Sequence, residues 1–401
     1  MPLVNMKEML QHAYENGYAV GAFDLASLDF LEGILDAAEH CCSPVILSLA
    51  ESHFEYFDFE LLMPAVEVAA RKASVPVAIH LDHGESLQSA LDAINRGCNG
   101  IMVDTSNAPL ADNIQATRAV VKMAHGCGIP VEGELGYVPG IEGEDAVRHP
   151  GEVAYTTIKE AREFVDNTEI DFLAVSIGTV HGRMKGQPKL DLDRLQRINE
   201  ALRIPLVIHG GTGLSDDQFQ QLIANGVAKI NYDTALADAA DAAIQNNAQA
   251  TESATYTTLS QGVQVAISQE SERCMRLWGS AGRAAGVLAN CTPWLPVEHL
   301  IIYNVKGLDE DKVTEMMAKG QQVLSRIPGV REVITGKAVK TTVDYRYTWL
   351  VQFCHPAVID SYRDHPDHIA FADKLFRPVA SNRISIDYHL NPWVQVPGNG
   401  R

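Results

Sequence analysis

Eight short apolar runs, starting about 30 residues apart, set the tightest limit on what this chain can fold into. They lie at 20–23, 45–49, 77–81, 100–103, 131–134, 172–175, 206–208 and 227–230. Helix-like stretches, such as 86–96 and 112–125, separate them. Strand–helix alternation at this spacing calls for parallel strands joined by crossover helices. Eight units in about 230 residues suit a closed (β/α)8 TIM barrel, with an open doubly wound sheet as the alternative on pattern alone.

The ends of the runs are chemically loaded. Asp82 and His83 follow the third, Asp104 the fourth, and Glu134 ends the fifth. His181 lies just past the sixth, His209 follows the seventh and Asn231 the eighth. In a barrel these positions converge on the C-terminal face, where barrel enzymes place their sites. Three neutral imidazoles, His83, His181 and His209, suit zinc with one position left open, and Glu134 is an alternate ligand. Asp82 precedes one of these histidines and can move a proton to or from a hydroxyl. The glycine-rich acidic segment after Glu134 reads as a lid that brings in Glu142. His209-Gly210-Gly211-Thr212-Gly213 and Asn231-Tyr232-Asp233-Thr234 follow runs seven and eight, the loops where barrels often bind phosphate, and Lys185 adds a cation.

Residues 235–290 read as helices, and Pro293 and Pro296 around Trp294 read as a linker, 290–296. Beyond it the pattern becomes strand, helix, strand, strand, helix, strand over 297–390, an α+β domain of ferredoxin-like order, with 391–401 as a tail. The first 289 residues form the barrel. In the second domain Tyr345, Tyr347, Trp349, Val351 and Phe353 alternate along one strand, and Tyr303 joins them from another. With two helices covering one sheet face, this aromatic face is expected to lie open and to pair with a second copy.

Charge excludes two partners. Residues 1–290 carry 19 Lys and Arg against 39 Asp and Glu, and residues 291–401 carry 13 against 12. Such an acidic body repels nucleic acid and anionic membrane. No run reaches the ~20 apolar residues of a membrane span, and the first ten residues lack a signal-peptide pattern. The seven cysteines form no CxxC, so reduced thiols and a cytoplasmic protein are expected.

The strings HLDHG (80–84), VEGELG (131–136), IGTVHG (177–182), KGQPKLD (185–191), VIHGGTGL (207–214) and GVAKINYDT (226–234) resemble class II fructose/tagatose-bisphosphate aldolases, and RLWGSAGRA (276–284) looks like that family's last helix. The resemblance covers about residues 1–286. It implies a zinc-dependent barrel that cleaves a ketose 1,6-bisphosphate, fructose 1,6-bisphosphate by default, into dihydroxyacetone phosphate and an aldehyde. It further implies zinc on His83, His181 and His209, and Asp82 as the shuttle for the C4-hydroxyl proton. Glu142 would move the proton next to the carbonyl. Gly182, Gly210, Thr212, Asn231, Asp233 and Thr234 would hold the dihydroxyacetone phosphate end beside a monovalent cation, Na+ or K+.

The chain departs from the family where substrate is gripped. Asp24 stands where the family has Asn, Ala50 falls in a turn that usually carries Ser, and Gly140–Glu144 alters the lid around Glu142. These changes leave the sugar open, with tagatose 1,6-bisphosphate or another ketose 1-phosphate as runner-up. A reading of another class is a non-catalytic sugar-phosphate-binding subunit. Residues 297–390 resemble the stress-responsive dimeric α+β barrel family, through Glu298-His299-Leu300-Ile301-Ile302, Ile327-Pro328-Gly329-Val330 and His365-Pro366-Asp367-His368. That likeness implies face-to-face pairing of sheets, hence a homodimer or higher oligomer, and makes His299 and His368 candidates for small-molecule chemistry.

Overall fold

The computed structural model describes residues 2–136, 138, 155–182, 189–250, 253 and 255–389. The chain forms two compact units, one of Met1–Ala90, Cys98–Lys122 and Ile129–Pro293, the other of Trp294–Arg401 with Leu91–Gly97 and Met123–Gly128. The first is a closed barrel of eight parallel strands in sequential order. These are β1 (Val20–Asp24), β2 (Val45–Ala50), β3 (Val77–Gly84), β4 (Gly100–Val103), β5 (Val131–Leu135), β6 (Phe172–Val175), β7 (Leu206–Ile208) and β8 (Val227–Tyr232). β1 pairs with β8, Ala22 beside Asn231, which closes the sheet.

The barrel interior is layered. At the N-terminal end, Val20, Ala22, Ile46, Ala78, Phe172, Ala174, Val207 and Ala228 form one apolar cluster. The helix α1 (Met6–Glu15) packs Met6, Met9, Leu10 and Ala13 into it. Asn5 starts α1, its side-chain oxygen accepting from the Lys7 and Glu8 amides. Each fully buried Met or Leu contributes roughly 1.5–3 kcal/mol, so α1 is a plug and not a decoration. Toward the other end lie Ser48, His80, Glu132 and Lys229, all fully buried. At the C-terminal mouth lie Asp24, Asp82, Glu134, His209 and Asn231.

Thr292, which the sequence places in a linker, accepts from the Asn5 amide, and Pro293 bridges to Val4. That stretch is therefore fastened to the start of α1. All seven cysteines are free, and no helix among the described residues is long and apolar enough to cross a membrane.

The second unit is a four-stranded antiparallel sheet, β10–β11–β9–β12, with helices. Its strands are β9 (Val297–Val305), β10 (Val330–Lys337), β11 (Tyr347–Phe353) and β12 (Ala380–His389). The aromatic face is not open. Trp349 meets Phe371 edge-on at 5.6 Å, Tyr303 meets Phe376 at 4.9 Å, and Phe353 meets Tyr362 at 4.9 Å. The domain's own helices thus cover the face expected to be exposed. Alternation correctly groups these residues on one side, but it cannot say which side the helices choose when both are apolar. The other side carries a cross-strand row, Ile334–Leu350–Leu300–Ile386. Ile334 and Ile386 are 42% and 50% exposed. Between sheet and helices lies a cavity of about 210 Å³, lined by His299, Ile301, Trp349, Tyr362, His368 and Arg383 among others.

Candidate active site

Strict alternation would send Asp82 and His83 to opposite faces of β3. The pairing with β4 slips between Leu81 and Gly84, and His83 adopts φ +46°, a left-handed conformation rare outside glycine. This bulge turns the imidazole toward the mouth beside Asp82. The rings of His83, His181 and His209 then stand 4.6–5.7 Å apart, centroid to centroid. Their ligand nitrogens all lie within 4.8 Å of one another.

Carboxylates fix two of these rings. His83 Nδ1 donates to Asp104 Oδ2 (3.0 Å) and His209 Nε2 to Glu132 Oε1 (2.8 Å). Each ring uses its N–H on a carboxylate, so His83 Nε2 and His209 Nδ1 present lone pairs to each other across 2.7 Å. Two facing lone pairs repel unless a cation, proton or metal, lies between them. The donor set therefore fits a borderline metal ion. Burial lowers His209 to about 4 and His181 to about 3, which keeps both neutral, the form that binds a metal. Glu134 is adjacent: its Oε2 lies 3.8 Å from His209 Nδ1, and its Oε1 accepts from Ser106 (3.2 Å). Burial, reinforced by the Asp104 charge, pushes Glu134 well above the usual carboxylate range.

Asp82 is fully buried, and the Asn231 amide donates to both of its oxygens at 2.9 Å. Burial alone would raise its pKa, but His83, His209 and Lys229 outweigh burial and hold it ionised. Ala50 is its partner on β2, so a methyl and no hydroxyl flanks it there.

Asp24, also fully buried, and Asp233 complete an acidic rim. Burial, then the charges of Asp24 and Asp82, raise Asp233 to about 8. The sign of the linkage follows. Unfolded Asp233 loses its proton near pH 4 while the folded one keeps it to about 8, so folding loses stability as pH rises through that window. Asp233→Asn should therefore gain on wild type between pH 4 and 8, with an upper bound of roughly 6 kcal/mol at about 1.4 per pH unit. Denaturant melts of both proteins across that range check it. A constant difference would mean that Asp233 titrates normally.

The two glycine-bearing loops expected to receive phosphate need their glycines. Gly182 and Gly210 have φ +78° and +71°, and a Cβ on Gly210 would strike the Val180 carbonyl. Gly211 is buried, Thr212 half-buried, and Thr234 opens the helix Thr234–Ala250 just after β8. Glu142 and Lys185 lie outside the described residues. Sequence reasoning missed Glu132 and Lys229. The signal was present: each is a charged residue two positions before a mouth residue, Glu134 and Asn231, and so shares its inward parity.

Residues 4–283 match the fructose-bisphosphate aldolase class-II family, and 297–390 match the stress-responsive A/B barrel domain. The fructose-bisphosphate aldolase of Staphylococcus epidermidis is 44% identical over 237 residues, 58% of this chain and 82% of that protein. The YdjI aldolase of Escherichia coli K12 superposes with a TM-score of 0.63 at 33% identity, covering 70% of this chain and 99% of its own. The fructose-bisphosphate aldolase of Campylobacter jejuni shares the fold, with a TM-score of 0.60 at 18% identity over 70% of this chain and 96% of its own. With a barrel of eight strands, a histidine triad at its mouth and a second domain following in the sequence, the chain belongs to the class-II fructose-bisphosphate aldolase family of lyases, fused to a stress-responsive A/B barrel domain.

Proposed function

We propose that the barrel catalyses the reversible retro-aldol cleavage of a ketose 1,6-bisphosphate, by default fructose 1,6-bisphosphate, to dihydroxyacetone phosphate and an aldehyde. One observation carries this reading: three imidazoles with converging nitrogens, His181 and His209 buried and His83 half-buried, share a mouth with an ionised buried carboxylate. His83, His181 and His209 are the residues that would hold zinc, with Glu134 as alternate ligand. The ion would supply Lewis-acid stabilisation of the enediolate charge left by C–C cleavage.

The chain's own groups do the rest. Asp82 takes the C4-hydroxyl proton as the C3–C4 bond breaks and returns it in the synthetic direction. Asn231 holds the carboxylate in place. Its own Oδ1 is buried with no donor among the described residues, so it can accept from a substrate hydroxyl. Glu142 moves the proton on the carbon next to the carbonyl. Amides around Gly182, Gly210, Gly211 and Thr212, with Asn231, Asp233 and the helix start at Thr234, receive the phosphate of the dihydroxyacetone half. Lys185 adds a charge there, with Na+ or K+ alongside. Asp233, protonated at neutral pH, can donate a hydrogen bond to that anionic half.

Asp24 and Ala50 keep tagatose 1,6-bisphosphate or a modified ketose 1-phosphate as the runner-up. A coupled assay for dihydroxyacetone phosphate over a panel of ketose phosphates tests the proposal. Release from none of them, with sugar phosphate still bound, would leave the non-catalytic binding subunit instead.

For the second domain we propose a homodimer contact through the open row Ile334–Leu350–Leu300–Ile386. A two-fold axis is the commonest way to bury such a face. Leu300→Glu should lower the mass of the full chain by light scattering. An unchanged mass would remove this contact.

A further inference from the structure

Barrel interiors are ordinarily filled by branched apolar side chains. Here Lys229 Nζ donates to Glu132 Oε2 at 2.7 Å, and both residues are fully buried. Replacing a buried ion pair by well-packed apolar groups is often neutral or stabilising, so stability alone gives little reason for this one. Its other oxygen shows what the pair touches. Glu132 Oε1 accepts from His209 Nε2 at 2.8 Å, while His209 Nδ1 faces His83. Lys229, Glu132 and His209 thus form one line from the barrel interior to the mouth.

We propose that the Lys229–Glu132 pair is a tautomer lock: it holds the proton of His209 on Nε2, leaving Nδ1 bare for a metal ion. This rests on the metal reading above. The logic is donor counting. An ammonium only donates, so Lys229 requires an acceptor at Glu132 Oε2. Held in a 2.7 Å ion pair with that ammonium, the carboxylate offers only acceptor oxygens. An ionised carboxylate also only accepts, so His209 must give it an N–H. With one proton on a neutral imidazole, the lone pair falls on Nδ1. Glu132 and Lys229 are positioning residues: they act on the metal through His209. Asp104 does the same for His83 from the other side.

The lock makes a prediction that a merely structural ion pair does not. In Glu132→Gln, Lys229 still demands an acceptor and takes the amide oxygen. The amide NH2 is left facing His209 Nε2, which must now accept, so the proton moves to Nδ1 and blocks the metal. Metal affinity, read by competition with a chelator, should fall 10- to 100-fold. Adding Lys229→Met frees the amide to turn its oxygen to His209, so Lys229→Met/Glu132→Gln should bind metal more tightly than Glu132→Gln alone. Nitrogen NMR of histidine-labelled, metal-free full chain should show His209 protonated on Nε2 in wild type and on Nδ1 in Glu132→Gln, with His209→Gln giving the assignment. A wild-type His209 protonated on Nδ1 overturns the lock. So does a double variant that binds metal no better than Glu132→Gln. Should wild type bind no metal at all, the metal reading fails, while the NMR result still decides the lock. The wild-type spectrum keeps the test open even if a variant does not fold.

Discussion

Asp82→Ala should lose between roughly 10²- and 10⁴-fold in cleavage rate, the usual worth of a positioned acid or base, while keeping its metal. The geometry separates the two properties. Asp82 is not one of the three imidazoles, and its oxygens are held by Asn231. Its negative charge is maintained by His83, His209 and Lys229 against a burial that would neutralise an isolated carboxyl. Removing it takes away the proton acceptor and leaves the Asn231 amide unpaired. That unpaired group should cost about 1–3 kcal/mol of stability, small beside the kinetic loss. Steady-state cleavage with metal analysis of the same preparation checks both halves. A variant that keeps a tenth of wild-type turnover, or that loses its zinc, would put the proton shuttle elsewhere.

The second large effect is removal of the metal. Dialysis against chelator should abolish cleavage, and zinc should restore it. The competing route for an aldolase is a Schiff base on lysine, and the barrel is poorly built for it. Lys229 is the one buried lysine among the described residues, and it is ion-paired to Glu132 below the mouth. An amine engaged by a buried carboxylate is not presented to substrate as a nucleophile. Full turnover in chelator, with substrate trapped on a lysine by borohydride, would reverse this conclusion.

Much of this architecture is legible because period and position carry it. Runs such as 172–175 and 206–208 coincide with β6 and β7, and the chemistry sits just past such runs because a parallel barrel presents only that end. His83 is the instructive exception. A pattern of period two assigns it to the outside, and only a one-residue slip with a left-handed backbone brings it in. Glu132 and Lys229 escaped because a charge inside an apolar run looks like an exposed position until its partner on another strand is known. The aromatic stripe of β11 misled for a different reason. Both faces of that sheet are apolar, so which face the helices cover depends on the packing of Phe371 and Phe376, not on the strand itself.

The plug formed by α1 has an evolutionary meaning. The apolar cluster that seals the N-terminal end shares no residue with the mouth, where the left-handed His83 and the acidic rim concentrate strain. Folding reserve and the candidate site are thereby carried by opposite ends of the same strands. A lineage can exchange a rim residue, as Asp24 for Asn, and drift toward another sugar while the foundation that keeps the barrel shut goes untouched. Such a scaffold is evolvable because its hazards and its anchors do not overlap.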